Sequence, residues 1–297
     1  MIQISHEFPN YFYQNGYAKD HTDYDYCLVH RYIENESYRN YMKTSIKEGR
    51  NVFLDNGVFE LQTAFSGDTY AKEIEDLQPT YYLLPDVFND LYKNIESQLD
   101  FYEKYGKSLP GTPMSALQGK TSAELAESFK ILSHELPNDT RFALPFGSAA
   151  FDNANGKDPM MYNSLIFGYT PMRMAINRKK FLRIYNNVLR SRDFHLLGCK
   201  SIMEYDIWDD DYDKSFIKST DTSLPVAYTL QTDLKFDDQN QYMAVSESCI
   251  SMDPHFFKPE YLIDKHFHDE EFCTSNLDYN IDFFRKKVIT WYETQRN

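Results

Sequence analysis

The sequence lacks the features of a secreted or membrane-bound protein. No run at its N-terminus resembles a signal peptide, and no apolar stretch approaches the roughly 20 residues needed to span a bilayer. Its four cysteines are widely separated, at Cys27, Cys199, Cys249 and Cys273. Reduced thiols in a cytoplasmic setting are the simplest account of that spacing. We therefore expect a cytoplasmic protein that has no membrane partner.

Positive charge is also scarce. The 31 Lys and Arg residues face 45 Asp and Glu residues, for a formal net charge of -14. This balance argues against non-specific coating of nucleic acid, which depends on neutralising phosphates. One local exception is a basic run without acids between Arg173 and Arg192, which includes Arg173, Arg178, Lys179, Lys180 and Arg183. Two interpretations stay open, a contact with a nucleic-acid backbone or a solvated helix face.

The chain does contain enough apolar residues for a large core, with 297 residues of which 42% are hydrophobic. Short apolar runs alternate with segments of helical periodicity. The predicted strands are residues 1–4, 26–30, 52–55, 81–86, 113–118, 141–144, 194–198 and 216–221. Eight alternating units predict an α/β fold of the (β/α)8 TIM-barrel type.

We expect the barrel to occupy residues 1–230, with an inserted helical segment at residues 148–193 after the sixth strand. Residues 231–297 would form a C-terminal extension that packs on the barrel. Within the last part of the chain, residues 225–248 suggest a hairpin and residues 277–294 an amphipathic closing helix.

Polar residues or glycine end several of the predicted strands, at Asp55, Asp86, Gln118, Gly147 and Asp221. In a barrel of this type, functional residues lie at the C-terminal ends of the strands. Carboxylates grouped there suit displacement at a sugar carbon, but they equally suit a metal-dependent hydrolase or a sugar isomerase. Asp55 and Asp221 also fit a simpler role as turn-forming residues.

The order of these segments resembles the queuine and archaeosine tRNA-guanine transglycosylases. The similar segments are Asp55-Asn56-Gly57-Val58-Phe59-Glu60, Pro85-Asp86-Val87, Leu117-Gln118-Gly119, Leu144-Pro145-Phe146-Gly147, His195-Leu196-Leu197-Gly198 and Asp221. The resemblance covers residues 52–223 and implies the same barrel, with no cofactor.

The resemblance also implies roles. Asp221 would attack C1′ of the target nucleotide as the nucleophile, and Asp55 would be the general acid and base. Asp86 would accept from the donors of a guanine-type base, while Gln118 and the Gly147 backbone would donate to its carbonyl. Phe59 and Leu197 would sandwich the purine, although ordinary core packing also explains these two side chains.

The sequence departs from the tRNA enzymes beyond Asp221. It has no Cys-x-Cys-x-x-Cys zinc cluster, and the candidates Cys249, His255, His266, His268 and Cys273 lack a recognised zinc spacing. Nor does it carry an archaeosine-type RNA-binding tail. We therefore predict no bound metal.

In these respects the chain is more similar to the DNA-guanine transglycosylases of phage and bacterial 7-deazaguanine modification. The resemblance implies DNA and a free 7-deazaguanine base as partners, in the host cytoplasm if the protein is phage-encoded. The basic residues from Arg173 to Arg183 would then contact the DNA backbone. Exchange on tRNA, or a non-catalytic relative that binds nucleic acid, stays open, as does a homodimer or a partner protein.

Overall fold

Eight parallel strands form a nearly closed barrel, as the alternation of the sequence predicts. The computed structural model describes residues 1–61, 65–163, 170–205, 212–232, 235–236 and 274–294. The strands are β1 Gln3–His6, β2 Asp25–Leu28, β3 Val52–Asp55, β4 Tyr81–Leu83, β5 Thr112–Ala116, β6 Arg141–Pro145, β7 Phe194–Leu197 and β8 Ile217–Thr222. Each strand from β2 to β7 pairs with its successor in parallel, and β8 pairs with β1. The fold class is therefore confirmed.

Side chains and one backbone bond close the remaining gap between β1 and β2. The amide of Asp23 donates to the carbonyl of Ile4 at 2.9 Å. The Ser5 hydroxyl donates to the carbonyl of Tyr24 at 2.8 Å. These bonds join the first two strands, so the C-terminal ends of all eight parallel strands lie at one mouth.

Helices cover the outside of the barrel. In chain order they are α1 Asn10–Gln14, α2 Tyr17–His21, α3 Val29–Glu34, α4 Glu36–Lys47, α5 Val58–Leu61, α6 Gly67–Leu77, α7 Leu91–Phe101, α8 Ser122–Glu135, α9 Thr170–Ile184, α10 Asn186–Leu189, α11 Leu224–Thr232 and α12 Thr274–Glu293. A π-helical turn, Tyr102–Gly106, extends α7, and a 3-10 turn, Ile202–Tyr205, follows β7.

Local sequence explains two of the helix starts. The hydroxyl of Ser66 accepts from the amide of Thr69 at the start of α6, at 3.2 Å. The hydroxyl of Thr121 accepts from the amide of Glu124 at the start of α8, also at 3.2 Å. Both are side-chain caps that satisfy amides left free at a helix N-terminus.

The barrel interior is mostly apolar and rich in aromatic rings. Its buried residues form a group of their own, separate from the larger core between the barrel and its helices. The members are Tyr24, Tyr26, Leu28, Phe53, Leu83, Met114, Ala116 and Ala143. Ring packing at this density makes the floor under the mouth rigid.

The structure corrects the prediction for the end of the chain. Leu224–Thr232 is a helix, where the sequence suggested the beginning of a hairpin. Pro225 is compatible with it because proline is tolerated in the first turn of a helix. The rest of the predicted hairpin, apart from residues 235–236, lies outside the described residues. Helix α12 matches the predicted closing helix and packs against α11.

The connection from β6 to β7 contains α9 and α10, so the segment predicted as an insertion carries the helices of that βα unit. The division at residue 230 stays a prediction. None of the helices in the described ranges combines the length and the apolar character that crossing a membrane requires.

Candidate active site

The residues predicted at strand ends do lie along the mouth of the barrel. Asp55 is the last residue of β3, and Asp221 is the fifth residue of β8. Asp86 and Gln118 follow β4 and β5 by three and two residues. All four side chains are buried. Their placement brings three carboxylates and an amide to one end of the nearly closed barrel.

Asp55 is held by two donors. The Tyr26 hydroxyl donates to Oδ2 at 2.7 Å, and the amide of Gly57 donates to Oδ1 at 2.6 Å. Gly57 has a φ of 71°, the left-handed conformation that favours glycine. Burial raises the pKa of Asp55 to about 6, against the two hydrogen bonds, and the charges of Asp86 and Asp221 raise it further. A carboxyl group with this pKa exchanges protons near neutral pH.

The Asp86 carboxylate lies between two side-chain amides. Asn56 donates to Oδ1 at 2.9 Å, and Gln118 donates to Oδ2 at 2.6 Å. Asn56 also donates to the carbonyl of Leu84 at 2.9 Å. Burial raises the pKa of Asp86, and the bonds from Asn56 and Gln118 oppose that shift. Each carboxylate oxygen has a second lone pair, so Asp86 retains the capacity to accept from a base.

Gln118 therefore has a different partner from the one the resemblance implies. Its amide nitrogen donates to Asp86, and its oxygen accepts from the amide of Asn89 at 3.4 Å. Asn89 has a φ of 55°, and its side chain accepts from the amide of Ala149 at 2.8 Å. These bonds connect the loops after β4, β5 and β6. A carbonyl of the base could accept a hydrogen bond from the second N–H of the Gln118 amide.

The other residues predicted to bind the base are only partly described. Gly147 is exposed two residues after β6, and Leu197 is partly buried at the end of β7, where it packs on the barrel interior. The backbone of Phe59 belongs to α5, but its side chain lies outside the described residues. The roles of Gly147, Leu197 and Phe59 stay predictions.

Asp221 is oriented through one of its two oxygens. The amide of Gly198 donates to Oδ1 at 3.0 Å. His195 Nε2 lies 2.9 Å from the same oxygen, off the line of an ideal hydrogen bond. Gly198 has a φ of 67°, so the turn that aims its amide at Asp221 uses a conformation natural to glycine. Both contacts fall on Oδ1, so they fix the carboxylate through that oxygen and leave Oδ2 outside these two contacts.

Glu7 is a site residue that the sequence interpretation missed. It follows β1 directly, and its amide donates to the carbonyl of Thr222 at 3.3 Å. Burial and the charges of Asp221 and Asp55 raise the pKa of Glu7 to about 8, with Arg31 opposing them. The sequence interpretation ended the first strand at Ile4, two residues too early, and for that reason did not place Glu7 at the mouth of the barrel.

Arg178 requires a correction. The sequence suggested that it contacts nucleic acid, but its side chain is fully buried beneath the mouth. Its guanidinium pairs with Glu204, with Nη2 2.6 Å from Oε2. It also donates to the carbonyls of Leu144, Leu197 and Gly198 at 2.9, 3.0 and 2.7 Å. Arg178 therefore fixes the ends of β6 and β7, including the turn that carries the Gly198 amide.

Two more basic residues of the predicted DNA surface are buried as well. Arg173 pairs with Asp152, and the Lys179 side chain is buried on helix α9. Lys180 and Arg183 are partly exposed, with the Lys180 ammonium 4.2 Å from the centre of the Tyr162 ring. Arg183 lies five residues past Arg178, about 7.5 Å further along the helix. A DNA-binding role remains a prediction for Lys180 and Arg183.

The question of zinc falls outside the described residues. Cys249, His255, His266, His268 and Cys273 all belong to the part of the chain that the structure does not describe. Across the described ranges, no three His, Cys, Asp or Glu side chains form a group suited to a metal ion.

The geometry supports chemistry at an electrophilic carbon. It combines an oriented carboxylate, a second carboxyl that exchanges protons near neutrality, and a third that accepts hydrogen bonds. No protein-family model matches the chain, and no curated protein is significantly similar to it in sequence.

Proposed function

We propose that the protein is a base-exchange transglycosylase that replaces guanine in DNA with a 7-deazaguanine such as 7-cyano-7-deazaguanine. The observation that carries the proposal is the orientation of Asp221 at a mouth that also contains Asp55 and Asp86. Two contacts fix Oδ1 of Asp221, so Oδ2 is directed by geometry rather than by free rotation. Such preorganisation favours attack on a bound sugar carbon.

The reaction divides into two displacements. In the first, Oδ2 of Asp221 forms a bond to C1′, and the C1′–N9 bond breaks, with its electron pair leaving on guanine. Protonated Asp55 gives the departing base its proton. In the second, the incoming 7-deazaguanine loses its N9 proton to Asp55 and attacks C1′, which releases Asp221. Protons and electrons balance, and neither displacement uses a cofactor.

Asp86 supports a guanine-type base on chemical grounds. The ring N–H and exocyclic amine of guanine are donors, and a carboxylate is an acceptor. Adenine would present a ring acceptor to the same carboxylate. The bonds from Asn56 and Gln118 hold Asp86 in one orientation, so its free lone pairs meet the base edge without rearrangement.

DNA as substrate is the part of the proposal that rests on the resemblance. A base within a duplex cannot reach a barrel mouth, so the target nucleotide must be flipped out or single-stranded. The test is incubation of labelled 7-cyano-7-deazaguanine with single-stranded DNA, duplex DNA or tRNA, with and without chelator.

We expect label in DNA, unchanged by chelator and lost in Asp221→Asn. The matched control Asp193→Asn alters an exposed carboxylate and should keep full incorporation. Label in tRNA alone would reject DNA as the substrate. Equal incorporation by wild type and Asp221→Asn would reject the nucleophile, and incorporation that disappears with chelator would favour a metal-dependent reaction.

A further inference from the structure

A chain of polar side chains runs down the aromatic interior of the barrel from Asp221. His195 Nε2 contacts Asp221, and its Nδ1 lies 3.0 Å from the Ser219 hydroxyl. Arg141 Nη1 reaches the same hydroxyl at 3.3 Å. Arg141 Nη2 donates to the Tyr81 hydroxyl at 2.9 Å. Polar groups in such a setting are expected to have defined hydrogen-bonding roles, because unpaired ones are costly.

The aromatic rings around His195 restrict its orientation. Tyr26 stacks on the imidazole, with ring centres 5.9 Å apart and planes inclined by 19°. Tyr24 and Phe53 meet it edge-on, at 6.4 and 5.8 Å. The ring therefore cannot turn over freely, and each nitrogen keeps its neighbour. Which nitrogen carries the proton then depends on those neighbours.

The donors along the chain can be assigned from Arg141. A guanidinium only donates, so the Ser219 oxygen accepts from it. The hydroxyl proton of Ser219 can then point at Nδ1 of His195 or at the Tyr24 hydroxyl, which also hydrogen-bonds Ser219. The choice between the two ring nitrogens therefore rests on Asp221. At the other nitrogen, an ionised Asp221 can only accept, so a proton on Nε2 is favourable and a lone pair there would be repelled.

Burial and nearby positive charge favour the neutral form of the ring. The charged and titratable groups near it are Asp221 on β8, Arg141 on β6, Arg178 on α9, Tyr24 just before β2 and Tyr26 on β2. Burial lowers the pKa of His195, and the two arginines lower it further, while Asp221 opposes them. A neutral imidazole carries one N–H proton, which is bound to either Nδ1 or Nε2.

We propose that His195 is a positioning residue for Asp221, held as the neutral Nε2–H tautomer by the Asp221 carboxylate, with Ser219 and Arg141 at the other ring nitrogen. Together with the Gly198 amide, it occupies Oδ1 and keeps Oδ2 turned toward the mouth. The tautomer is argued from these contacts and from the neutral state of the ring, whereas its effect on turnover rests on the proposed function.

His6 supplies an internal control for this assignment. It is also buried, on β1, and its Nδ1 lies 3.3 Å from the carbonyl of Thr222. A carbonyl only accepts, so His6 must carry its proton on Nδ1. Burial lowers the pKa of His6 to about 3. The two buried histidines should therefore be neutral and hold opposite tautomers.

The test is a long-range ¹H–¹⁵N correlation spectrum of the full-length protein labelled at histidine. We expect one ring protonated on Nε2 that does not titrate between about pH 5 and 8, assigned as His195 by its loss in His195→Gln. Ser219→Ala should shift that signal and leave the His6 signal in place. A proton on Nδ1, or titration within that range, would overturn the assignment.

Turnover then tests positioning. His195→Leu should lower kcat for base exchange at least about tenfold, with KM for the free base unchanged, because His195 lies below the base site. His195→Gln retains a donor near the Nε2 position and should recover most of kcat. Equal kcat in His195→Leu and wild type would overturn the positioning role. A protein without base exchange but with the expected tautomer would contradict only the proposed function.

Discussion

The Asn56 side-chain amide donates to Asp86 at 2.9 Å, and this bond joins the segments that follow the neighbouring strands β3 and β4. The tRNA enzymes that the sequence resembles carry serine at the position of Asn56. The serine side chain is shorter than that of asparagine. The change from serine to Asn56 therefore coincides with a direct hydrogen bond between the segment of Asp55 and the segment of Asp86. It orients the carboxylate that we propose recognises the base.

Asp86→Asn should weaken binding of free 7-cyano-7-deazaguanine about 10- to 100-fold, the effect of losing about 1–3 kcal/mol of hydrogen bonding. The new amide would present a donor to the donors of the base. Titration calorimetry measures the affinity. Asp90→Asn is a matched control on the same loop, since asparagine also caps α7 well. Unchanged affinity in Asp86→Asn would contradict the assigned role.

Asp55→Asn should stabilise the protein relative to wild type increasingly as pH rises. The folded pKa of Asp55, about 6, lies above its value in the unfolded chain. The stability that this carboxyl contributes is therefore complete below about pH 4 and is lost as pH rises through 6. Between about pH 4 and 7 the difference should grow by on the order of 2 kcal/mol.

Urea unfolding at several pH values measures that difference. Asp68→Asn is the control, because a hydrogen bond from Tyr105 lowers the pKa of the exposed Asp68 and its contribution changes only below about pH 4. Its stability difference should stay nearly flat between about pH 4 and 7. A stability difference for Asp55→Asn that stays flat or falls with pH would contradict the raised pKa of Asp55.

Arg178→Met should cost about 3–5 kcal/mol of unfolding free energy, because it leaves Glu204 buried without its cation. The double variant Arg178→Met, Glu204→Leu should recover much of that loss. Urea unfolding of the single and double variants gives the coupling. The comparison pair is Lys19 and Glu48, both 44% exposed, whose disruption should cost less than about 1 kcal/mol. Similar costs for the two pairs would contradict this description of Arg178.

Lys180→Glu with Arg183→Glu tests the remaining basic surface. If both side chains bind phosphates, the slope of log affinity against log salt should fall by about one for each phosphate that is no longer neutralised. Binding of a fluorescent single strand across a salt series measures it. As a control, Lys19→Glu also replaces a positive side chain with a negative one, but on α2, and it should change the slope less than the double variant does. An unchanged slope in the double variant would remove Lys180 and Arg183 from the DNA surface.

The strand alternation made the barrel predictable, and strand β3 matches its predicted bounds of residues 52–55. Periodicity and caps act over a few residues, so they can be recognised from the sequence. Strand ends are less well determined. The first strand was predicted at residues 1–4, whereas it spans residues 3–6, so Glu7 was not predicted at the mouth of the barrel.

Long-range pairing explains what the sequence could not provide. Arg178 belongs to a run of basic residues that resembles a solvated face, and its partner Glu204 lies 26 residues away. The Asn56 and Gln118 bonds to Asp86 likewise join residues about 30 positions apart. Such contacts depend on how the strands are placed around the barrel, which no local pattern encodes.

In the proposed reaction, Asp221 becomes covalently joined to the sugar of the substrate. Wild-type protein mixed with guanine-containing DNA, quenched in denaturant and separated on a denaturing gel, should yield a protein–DNA adduct that free 7-cyano-7-deazaguanine discharges. Peptide mass spectrometry should locate the sugar on Asp221, and Asp221→Asn should form no adduct. An adduct on another residue, or base exchange by a protein lacking the Asp221 carboxylate, would contradict the account.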